Sequence, residues 1–228
     1  MSENKNGHVP VIASLSAARA SVYQVLATLY LEPPSRALVS GLLALTGEMA
    51  ELFDEQGAAC LRRYARSYAG DTEPLHQEFH DLFKVPLGRY VTPYEAVYRD
   101  QRVVGETRVA GLLMGPSTLA VMATYRDSGV QVPPECGELP DHIGVELNFM
   151  ALECAREQAA WKAGDEGAAR VELRRQQRFL QTHLVQWVPA LARRIAANAR
   201  SDFYRGIALL TEAFLRRDVA TLARALGN

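Results

Sequence analysis

Two histidines four residues apart, His76 and His80 in the run HQEFH, suggest a metal site. On a helix this spacing places both rings on one face, where they could share a metal ion. In zinc proteases a glutamate directly follows the first histidine, whereas Glu78 comes two residues later and falls on another side of the helix. A di-iron bundle needs two Glu-x-x-His pairs, and Glu73 with His76 supplies one. A surface or capping role therefore explains these histidines better, and we expect no metal site.

The sequence also lacks the usual motifs for phosphate binding and nucleophilic catalysis. It has no G-x-x-x-x-G-K-[ST] loop, no G-x-G-x-x-G after a strand and no G-x-S-x-G elbow. The run GLLMGPS at 111–117 fits a turn that opens a helix better than it fits a phosphate loop. We therefore predict no catalytic residue and no bound cofactor.

Composition narrows the class of protein. The 228 residues are 48% hydrophobic with a net charge of −1, which allows one buried core and disfavours a nucleic-acid-binding surface. No apolar run approaches the roughly 20 residues that span a bilayer. The N-terminus lacks the layout of a secretory signal. Cys60, Cys136 and Cys154 are odd in number and far apart, which fits a reducing compartment, so we expect a cytoplasmic protein.

Apolar residues recur at helical spacing along most of the chain, so helices are the elements that must position any site. Ser14 or Ser16 is predicted to cap a first helix that ends at Pro33-Pro34, and Ser35 begins a second. A third helix is predicted over 58–68, and a helix with Phe179 and Trp187 is predicted to stop before Pro189. We predict a flexible N-terminus over 1–13 and one all-α bundle of about nine to eleven helices over 14–228.

Two stretches interrupt this pattern, at 84–108 and at 129–140. The first contains both aromatic and polar residues, and Pro86, Gly88 and Pro93 interrupt any regular element in it. A loop of this length is usually functional. The second is the predicted hinge between two halves of the bundle. It leads into a strong helix for which Asp141 is the predicted N-cap. No strand-like alternation and no hairpin are predicted anywhere.

Three segments form the most unusual constellation: EFHDLF at 78–83, PYEAVYRD at 93–100 and PDHIGVEL at 140–147. Together they predict a surface of exposed apolar and aromatic side chains that would bind a peptide both apolar and basic. Acidic residues would form its rim, namely Glu95, Asp100, Asp141 and Glu146.

Structural roles remain an alternative for each of these residues. Leu82 and Phe83 could simply both be buried, and Asp141 could be no more than an N-cap. His142 could be an exposed histidine in the first helical turn. The hydroxyls of Tyr94 and Tyr98 could tie down the loop.

In this order and spacing, the three segments resemble the TorD/DmsD/NarJ family of redox-enzyme maturation chaperones. The Leu82-Phe83 pair, PYEAVY and PDHIGVEL carry the resemblance, which extends to FLQTHLVQWVPAL at 179–191 and spans most of residues 15–220. One departure is Ala96, where many relatives have serine.

The resemblance implies an all-helical chaperone that is not an enzyme. Its partner would be the catalytic subunit of a molybdopterin oxidoreductase of the DMSO/TMAO reductase type, bound through a twin-arginine signal peptide and held until cofactor insertion. The family pattern places peptide recognition on Asp141 and His142, supported by five further residues: Leu82, Phe83, Pro93, Tyr94 and Tyr98. The protein would be a monomer or a domain-swapped dimer.

Two alternatives stay open. A related protein of the NarJ type would assemble a membrane-anchored molybdoenzyme. A small helical metal-binding protein or enzyme would instead use His76 and His80.

Overall fold

A computed structural model describes residues 11–227, and in that range eleven α-helices account for most of the chain. The first six are α1 (Val11–Leu31), α2 (Arg36–Ala44), α3 (Thr46–Leu52), α4 (Glu55–Ala65), α5 (Glu73–Phe83) and α6 (Glu95–Arg99). The other five are α7 (Pro116–Asp127), α8 (Ile143–Lys162), α9 (Glu166–Phe179), α10 (Val185–Asn198) and α11 (Asp202–Leu226). The prediction of an all-α bundle is confirmed.

Side-chain caps explain where several helices begin. Ser35 accepts a hydrogen bond from the Leu38 N–H at 3.2 Å and starts α2, directly after the two prolines that end α1. Asp165 caps α9 by accepting from the Ala168 N–H at 2.8 Å. At the other end of the chain, Gly227 terminates α11 in a left-handed conformation.

The predicted boundaries of two helices, α1 and α4, are wrong. Ser14 and Ser16 lie inside α1, because that helix includes Val11; residues 1–10 of the predicted flexible N-terminus lie outside the described residues. The helix predicted over 58–68 is α4, which begins and ends three residues earlier.

Pro189 does not end its helix. A π-helical turn (Leu180–Leu184) joins α9 to α10, and α10 continues past Pro189 to Asn198. Proline lacks the N–H that would bond to the carbonyl four residues earlier, which for Pro189 is the carbonyl of Val185, the residue directly after the π turn.

A short β-hairpin also departs from the prediction that no strand would form. β1 (Arg102–Val104) pairs with β2 (Thr107–Val109) in antiparallel register. Gly105, at φ +62°, is the first residue of the two-residue connection, and a positive φ at this position alone is the mark of a type II′ turn. The Gly-X turn between β-branched residues in RVVGETRV was the sequence pattern that could have predicted it.

The core is formed where α1 packs along α8 and where α11 packs against α4 and α10. Large side chains such as Tyr23, Phe179 and Trp187 are fully buried in it. Gly206 on α11 permits the close approach of α4, because a Cβ there would lie 2.9 Å from the Gly57 carbonyl oxygen. Among the described residues, no helix is both long and apolar enough to cross a membrane.

A buried polar network joins four helices across this core. The guanidinium of Arg19 on α1 donates to Asp218 on α11 at 2.6 Å, to Glu157 on α8 at 2.9 Å and to Gln176 on α9 at 2.6 Å. The hydroxyl of Tyr23 adds a 2.7 Å hydrogen bond to Asp218. Every one of these groups is buried, so the network fixes how the four helices sit relative to one another.

Candidate functional site

The two motif segments at 93–100 and 140–147 lie side by side, although 39 residues separate them in the chain. Tyr94 and His142 form an antiparallel bridge. The Ile143 N–H donates to the Pro93 carbonyl at 2.9 Å, and the Glu95 N–H donates to the Asp141 carbonyl at 3.0 Å. These backbone hydrogen bonds make the N-terminus of α6 and the N-terminus of α8 one structural unit, which we call the motif junction.

Asp141 caps a different helix from the one predicted. α8 begins at Ile143, and its N-cap is His142, whose Nδ1 accepts from the Gly144 N–H at 3.1 Å. The Asp141 carboxylate instead accepts from the Ala96 N–H at 3.0 Å, in the first turn of α6. Burial raises the pKa of Asp141, and the hydrogen bond from Ala96 opposes that effect.

His142 is a neutral, buried ring. Because Nδ1 accepts a hydrogen bond, the proton of the neutral imidazole lies on Nε2, which is 4.0 Å from Glu138 Oε2. Burial lowers the pKa of His142 to about 4, against the opposing influence of the Glu138 carboxylate. The Tyr94 ring meets the imidazole edge to face, with centroids 5.2 Å apart.

Glu138 closes the accessible side of the motif junction. It accepts a 2.5 Å hydrogen bond from the Tyr94 hydroxyl and forms an ion pair with Lys84. Burial alone would raise the pKa of Glu138, but the Lys84 ammonium and the Tyr94 hydroxyl hold it below its usual value. Tyr94 is half-buried and Lys84 is exposed, so solvent reaches the junction here.

A second buried cluster lies beneath the junction and includes residues from 179–191. The Glu95 carboxylate is 2.9 Å from His183 Nδ1 and pairs with Arg99. Glu146 accepts from the Trp187 indole N–H at 3.2 Å. Burial, and then the nearby charge of Glu95, raise the pKa of Glu146 well above its usual value.

Tyr98 and Asp100 are half-buried, and each of them fixes a neighbouring segment. The Tyr98 hydroxyl donates to the Thr92 carbonyl at 2.9 Å. The Asp100 carboxylate accepts from the Ser117 N–H at 2.9 Å and from the Ser117 hydroxyl at 2.6 Å. Since the N-cap residue of α7 is a glycine, Asp100 performs its capping.

Leu82 and Phe83 belong to the core. Leu82 is fully buried and Phe83 is 3% exposed. The Phe83 ring contacts the rings of Tyr30 and Tyr204, each with centroids 5.8 Å apart. Both side chains are therefore core residues at the end of α5, which is the structural role that the sequence left open for them.

The prediction that these residues form an exposed surface with an acidic rim is therefore wrong. Seven of the ten candidates are buried: Leu82, Phe83, Pro93, Glu95, Asp141, His142 and Glu146. Tyr94, Tyr98 and Asp100 remain partly accessible. Folding does bring the residues of 93–100 and 140–147 together, as the constellation suggested, but it turns most of their polar groups inward.

Sequence reasoning did not single out Lys84, Glu138, His183 or Trp187 as members of the site. Lys84 and Glu138 lie in the two irregular stretches. The sequence of these stretches predicts loops but does not predict which residues the loops contact. His183 and Trp187 stand four apart, a helical spacing that places both side chains on one face.

His76 and His80 are used separately. His76 Nε2 lies 3.0 Å from the Pro34 carbonyl oxygen, while exposed His80 meets the Phe79 ring edge to face. Within 11–227, no three histidine, cysteine or acidic side chains are grouped so as to hold a metal ion.

Known proteins resemble this chain across the same region. The profile of the family described as "Nitrate reductase delta subunit" matches residues 44–193, which include both motif segments. The selenate reductase assembly chaperone of Thauera selenatis is 30% identical over 179 residues, covering 76% of this chain and 84% of that protein. The chlorate reductase assembly chaperone of Ideonella dechloratans is 29% identical over 168 residues, covering 72% and 79%.

The chaperone TorD of Vibrio cholerae is 30% identical over 145 residues, 63% of this chain. The match spans about 60% of that TorD's own length. The family profile covers well over half of the chain, and the Thauera protein matches over most of its length. The chain therefore belongs to the nitrate reductase delta subunit family, the TorD/NarJ group.

Proposed function

We propose that the protein is a cytoplasmic, system-specific chaperone and not an enzyme. Its client is the catalytic subunit of a molybdopterin oxidoreductase, which it holds through a twin-arginine signal peptide until the cofactor is inserted. Relatives named as assembly chaperones of selenate and chlorate reductases support a client of this class. The family model overlaps the whole motif junction, which supports a role for that region in the shared activity.

The observation that carries the proposal is the Tyr94–His142 bridge, which builds one rigid unit from the two motif segments. Its accessible face presents the Tyr94 ring beside the Glu138 carboxylate. The Tyr94 ring would contact apolar residues of the peptide, and a peptide arginine would compete with Lys84 for the Glu138 carboxylate.

The buried candidates act by positioning this face. Asp141 holds the start of α6, and His142 holds the start of α8. Leu82, Phe83 and Pro93 support it from the core, while Glu95 and Glu146 anchor it to α10 and the π turn. Tyr94, Tyr98 and Asp100 are the proposed peptide-facing members of the original set.

Calorimetric titration with twin-arginine signal peptides tests the proposal, using peptides from molybdoenzymes encoded beside the gene. We expect tight binding of one peptide and loss of binding when its arginines become alanine. The double substitution Asp141→Ala/His142→Ala should weaken binding at least tenfold. Tyr94→Phe isolates the contribution of the Tyr94 hydroxyl, since it keeps the ring and removes only the hydrogen bond to Glu138. If a folded protein binds none of these peptides, the proposal is wrong.

A second candidate is an assembly factor for a membrane-anchored molybdoenzyme, favoured by the description of the matching family. The same titration separates the two. Selective binding of the N-terminal peptide of a membrane-anchored catalytic subunit would favour this candidate.

We further propose that the chain is a monomer or a domain-swapped dimer that exchanges its halves at the predicted hinge, 129–140. This connection contains two glycines with positive φ, Gly129 and Gly137, whose backbone freedom suits a hinge. Light scattering after gel filtration measures which form is present.

A further inference from the structure

An ion pair joins the two loops that flank the motif junction. Lys84 directly follows α5, and Glu138 lies in the connection between α7 and α8, 54 residues later. The Lys84 ammonium pairs with Oε1 of the Glu138 carboxylate. The two side chains are 32% and 12% exposed, so the pair lies where solvent meets the junction. We call this Lys84–Glu138 ion pair the strap.

The strap occupies the carboxylate that lies beside the accessible Tyr94 ring. Oε1 of Glu138 is taken by Lys84, and Oε2 accepts the hydrogen bond from the Tyr94 hydroxyl. A cation brought by a binding partner therefore meets a carboxylate that is already neutralised. In this closed arrangement, Lys84 stands in the place that a basic residue of a bound peptide would take.

The buried ring of His142 favours a second position for the Glu138 carboxylate. The Nε2–H of His142 has no hydrogen-bond partner among residues 11–227, and Glu138 Oε2, at 4.0 Å, is too distant to accept one. A buried donor without a partner is unfavourable. A shift of the carboxylate by about 1 Å would complete this hydrogen bond. Gly137, at φ +66°, directly precedes Glu138 and gives the backbone the freedom for such a shift.

Lysine is a replaceable partner for this carboxylate. Its ammonium is a compact, strongly hydrated charge on a flexible stem, whereas an arginine guanidinium can donate two parallel hydrogen bonds to one carboxylate. An ion pair as accessible as the strap contributes little to stability. The Lys84 ammonium also lies 5.6 Å from the centroid of the Phe79 ring, a contact that does not require Glu138. The strap can therefore open while the core stays intact.

We propose that the strap is an autoinhibitory contact, which a basic residue of the client's signal peptide must displace in order to bind and which closes again when the client leaves. The inference rests on the proposed function and adds the regulation of that site. Lys84 then acts as an internal competitor: it lowers the affinity of the junction for the peptide and speeds the release of the peptide. Such competition suits a chaperone, which has to let its client go.

Anisotropy titration of a fluorescein-labelled twin-arginine signal peptide tests the competition. Lys84→Gln removes the cation and keeps a long polar side chain. Its matched control is Arg89→Gln, which removes an exposed cation of the same loop, one that donates to the Asn198 carbonyl instead. We expect Lys84→Gln to bind the peptide about threefold more tightly, the factor that a surface ion pair supplies, and to release it more slowly. Arg89→Gln should change the affinity by less than about 1.5-fold, because solvent and salt screen its charge.

A double-mutant cycle separates competition at Glu138 from a general effect of charge. Glu138→Gln should weaken peptide binding, and adding Lys84→Gln should not restore it, since Lys84 then has no carboxylate to occupy. If Lys84→Gln tightens binding equally in the Glu138→Gln background, or if Arg89→Gln tightens it as much, a general charge effect explains the result and the inference is wrong. Thermal melts followed by circular dichroism verify that each variant is folded.

Hydrogen exchange of the free protein tests the strap without a peptide. The amides of Cys136 and Gly137 form backbone hydrogen bonds of 3.0 and 3.2 Å in the turn directly before Glu138, so their exchange reports the opening of that loop. We expect both amides to exchange about threefold faster in Lys84→Gln than in the wild type. If the wild type binds the peptide and Lys84→Gln binds it no more tightly, the inference is wrong while the proposed function stands. If neither protein binds any signal peptide, the proposed function itself fails.

Discussion

The carboxylate of Asp141 accepts a hydrogen bond from the backbone N–H of Ala96 at 3.0 Å, across 45 residues of sequence. Ala96 lies in the first turn of α6, where helical N–H groups have no partner within the helix. The N-cap residue of α6 is Tyr94, and its side chain makes no capping hydrogen bond. Asp141 thus supplies a cap from a distant segment, and the geometry of the motif junction depends on that one carboxylate.

Replacement of Asp141 by alanine should therefore destabilise the protein and weaken peptide binding together. The substitution removes the acceptor and leaves the buried Ala96 N–H unpaired, which costs about 2 kcal/mol. Asp141→Asn keeps an acceptor oxygen and should lose less than half as much. Urea unfolding measures the stability and calorimetry the affinity. If Asp141→Ala loses stability but binds the peptide as tightly as the wild type, the residue has a capping role alone.

His142 should make the protein less stable as the pH falls from about 6.5 towards 4. Its pKa in the folded state is about 4, below the ordinary value of 6.5, so in this window the unfolded chain binds the proton and the folded chain does not. Unfolding therefore takes up a proton, and full protonation of the unfolded chain would favour unfolding by about 3 kcal/mol. The nearby charged groups are Glu138 and Lys84.

Urea unfolding of wild type and His142→Asn at half-unit pH steps measures this effect. Asparagine is a good N-cap, so the variant retains the cap of α8 without the titrating group. We expect the stability of the wild type to fall more steeply between pH 6.5 and 4 than that of the variant. Equal slopes for the two proteins would show that His142 does not cause the loss.

The sequence predicted the helices well where apolar spacing and caps agree, as at Ser35 for α2. It failed where a tertiary contact decides the outcome. Asp141 has the residue type and position of an N-cap, and only the folded chain shows that His142 caps α8 while Asp141 reaches α6. Likewise, Pro189 indicates a helix end, yet α10 continues through it to Asn198, after a π turn that the sequence did not predict.

The proximity of two of the three motif segments was predicted better than the exposure of their side chains. The constellation grouped 78–83, 93–100 and 140–147. Folding places the last two side by side, whereas Leu82 and Phe83 of the first belong to the core. Sequence alone could not show that Glu95 and Glu146 are buried, since burial of a carboxyl group depends on partners that are distant in the chain. Those partners are His183 and Trp187.

The buried network at Arg19 should be necessary for the stability of the bundle. Arg19→Met removes the cation and leaves Asp218 and Glu157 buried without it, which should cost about 3–5 kcal/mol. Adding Asp218→Asn removes one uncompensated charge and should restore part of the loss. Guanidinium unfolding of the single and double variants measures both effects. If the double variant is less stable than Arg19→Met, the unpaired Asp218 charge is not the cause.

Glu146→Gln should preserve stability at low pH and increase it at high pH. The folded-state pKa of Glu146 is raised well above 4.5, first by burial and then by the charge of Glu95, with Asp141 adding to it. A raised carboxyl pKa contributes stability that is complete below the unfolded value and is lost as the pH rises towards the folded value. Glutamine resembles the protonated acid, keeps an acceptor for the Trp187 N–H and has no proton to lose.

Thermal unfolding of the wild type and Glu146→Gln at pH 4, 6, 8 and 9 measures the difference. We expect nearly equal melting temperatures at pH 4 and an advantage for the variant that grows with pH. Glu146→Ala is the control, because it removes the acceptor for Trp187 and should be less stable at every pH. If Glu146→Gln loses as much stability at pH 8 as Glu146→Ala does, then the carboxylate form of Glu146 is the one that the fold requires. The junction would then hold a buried charge and not a buried acid.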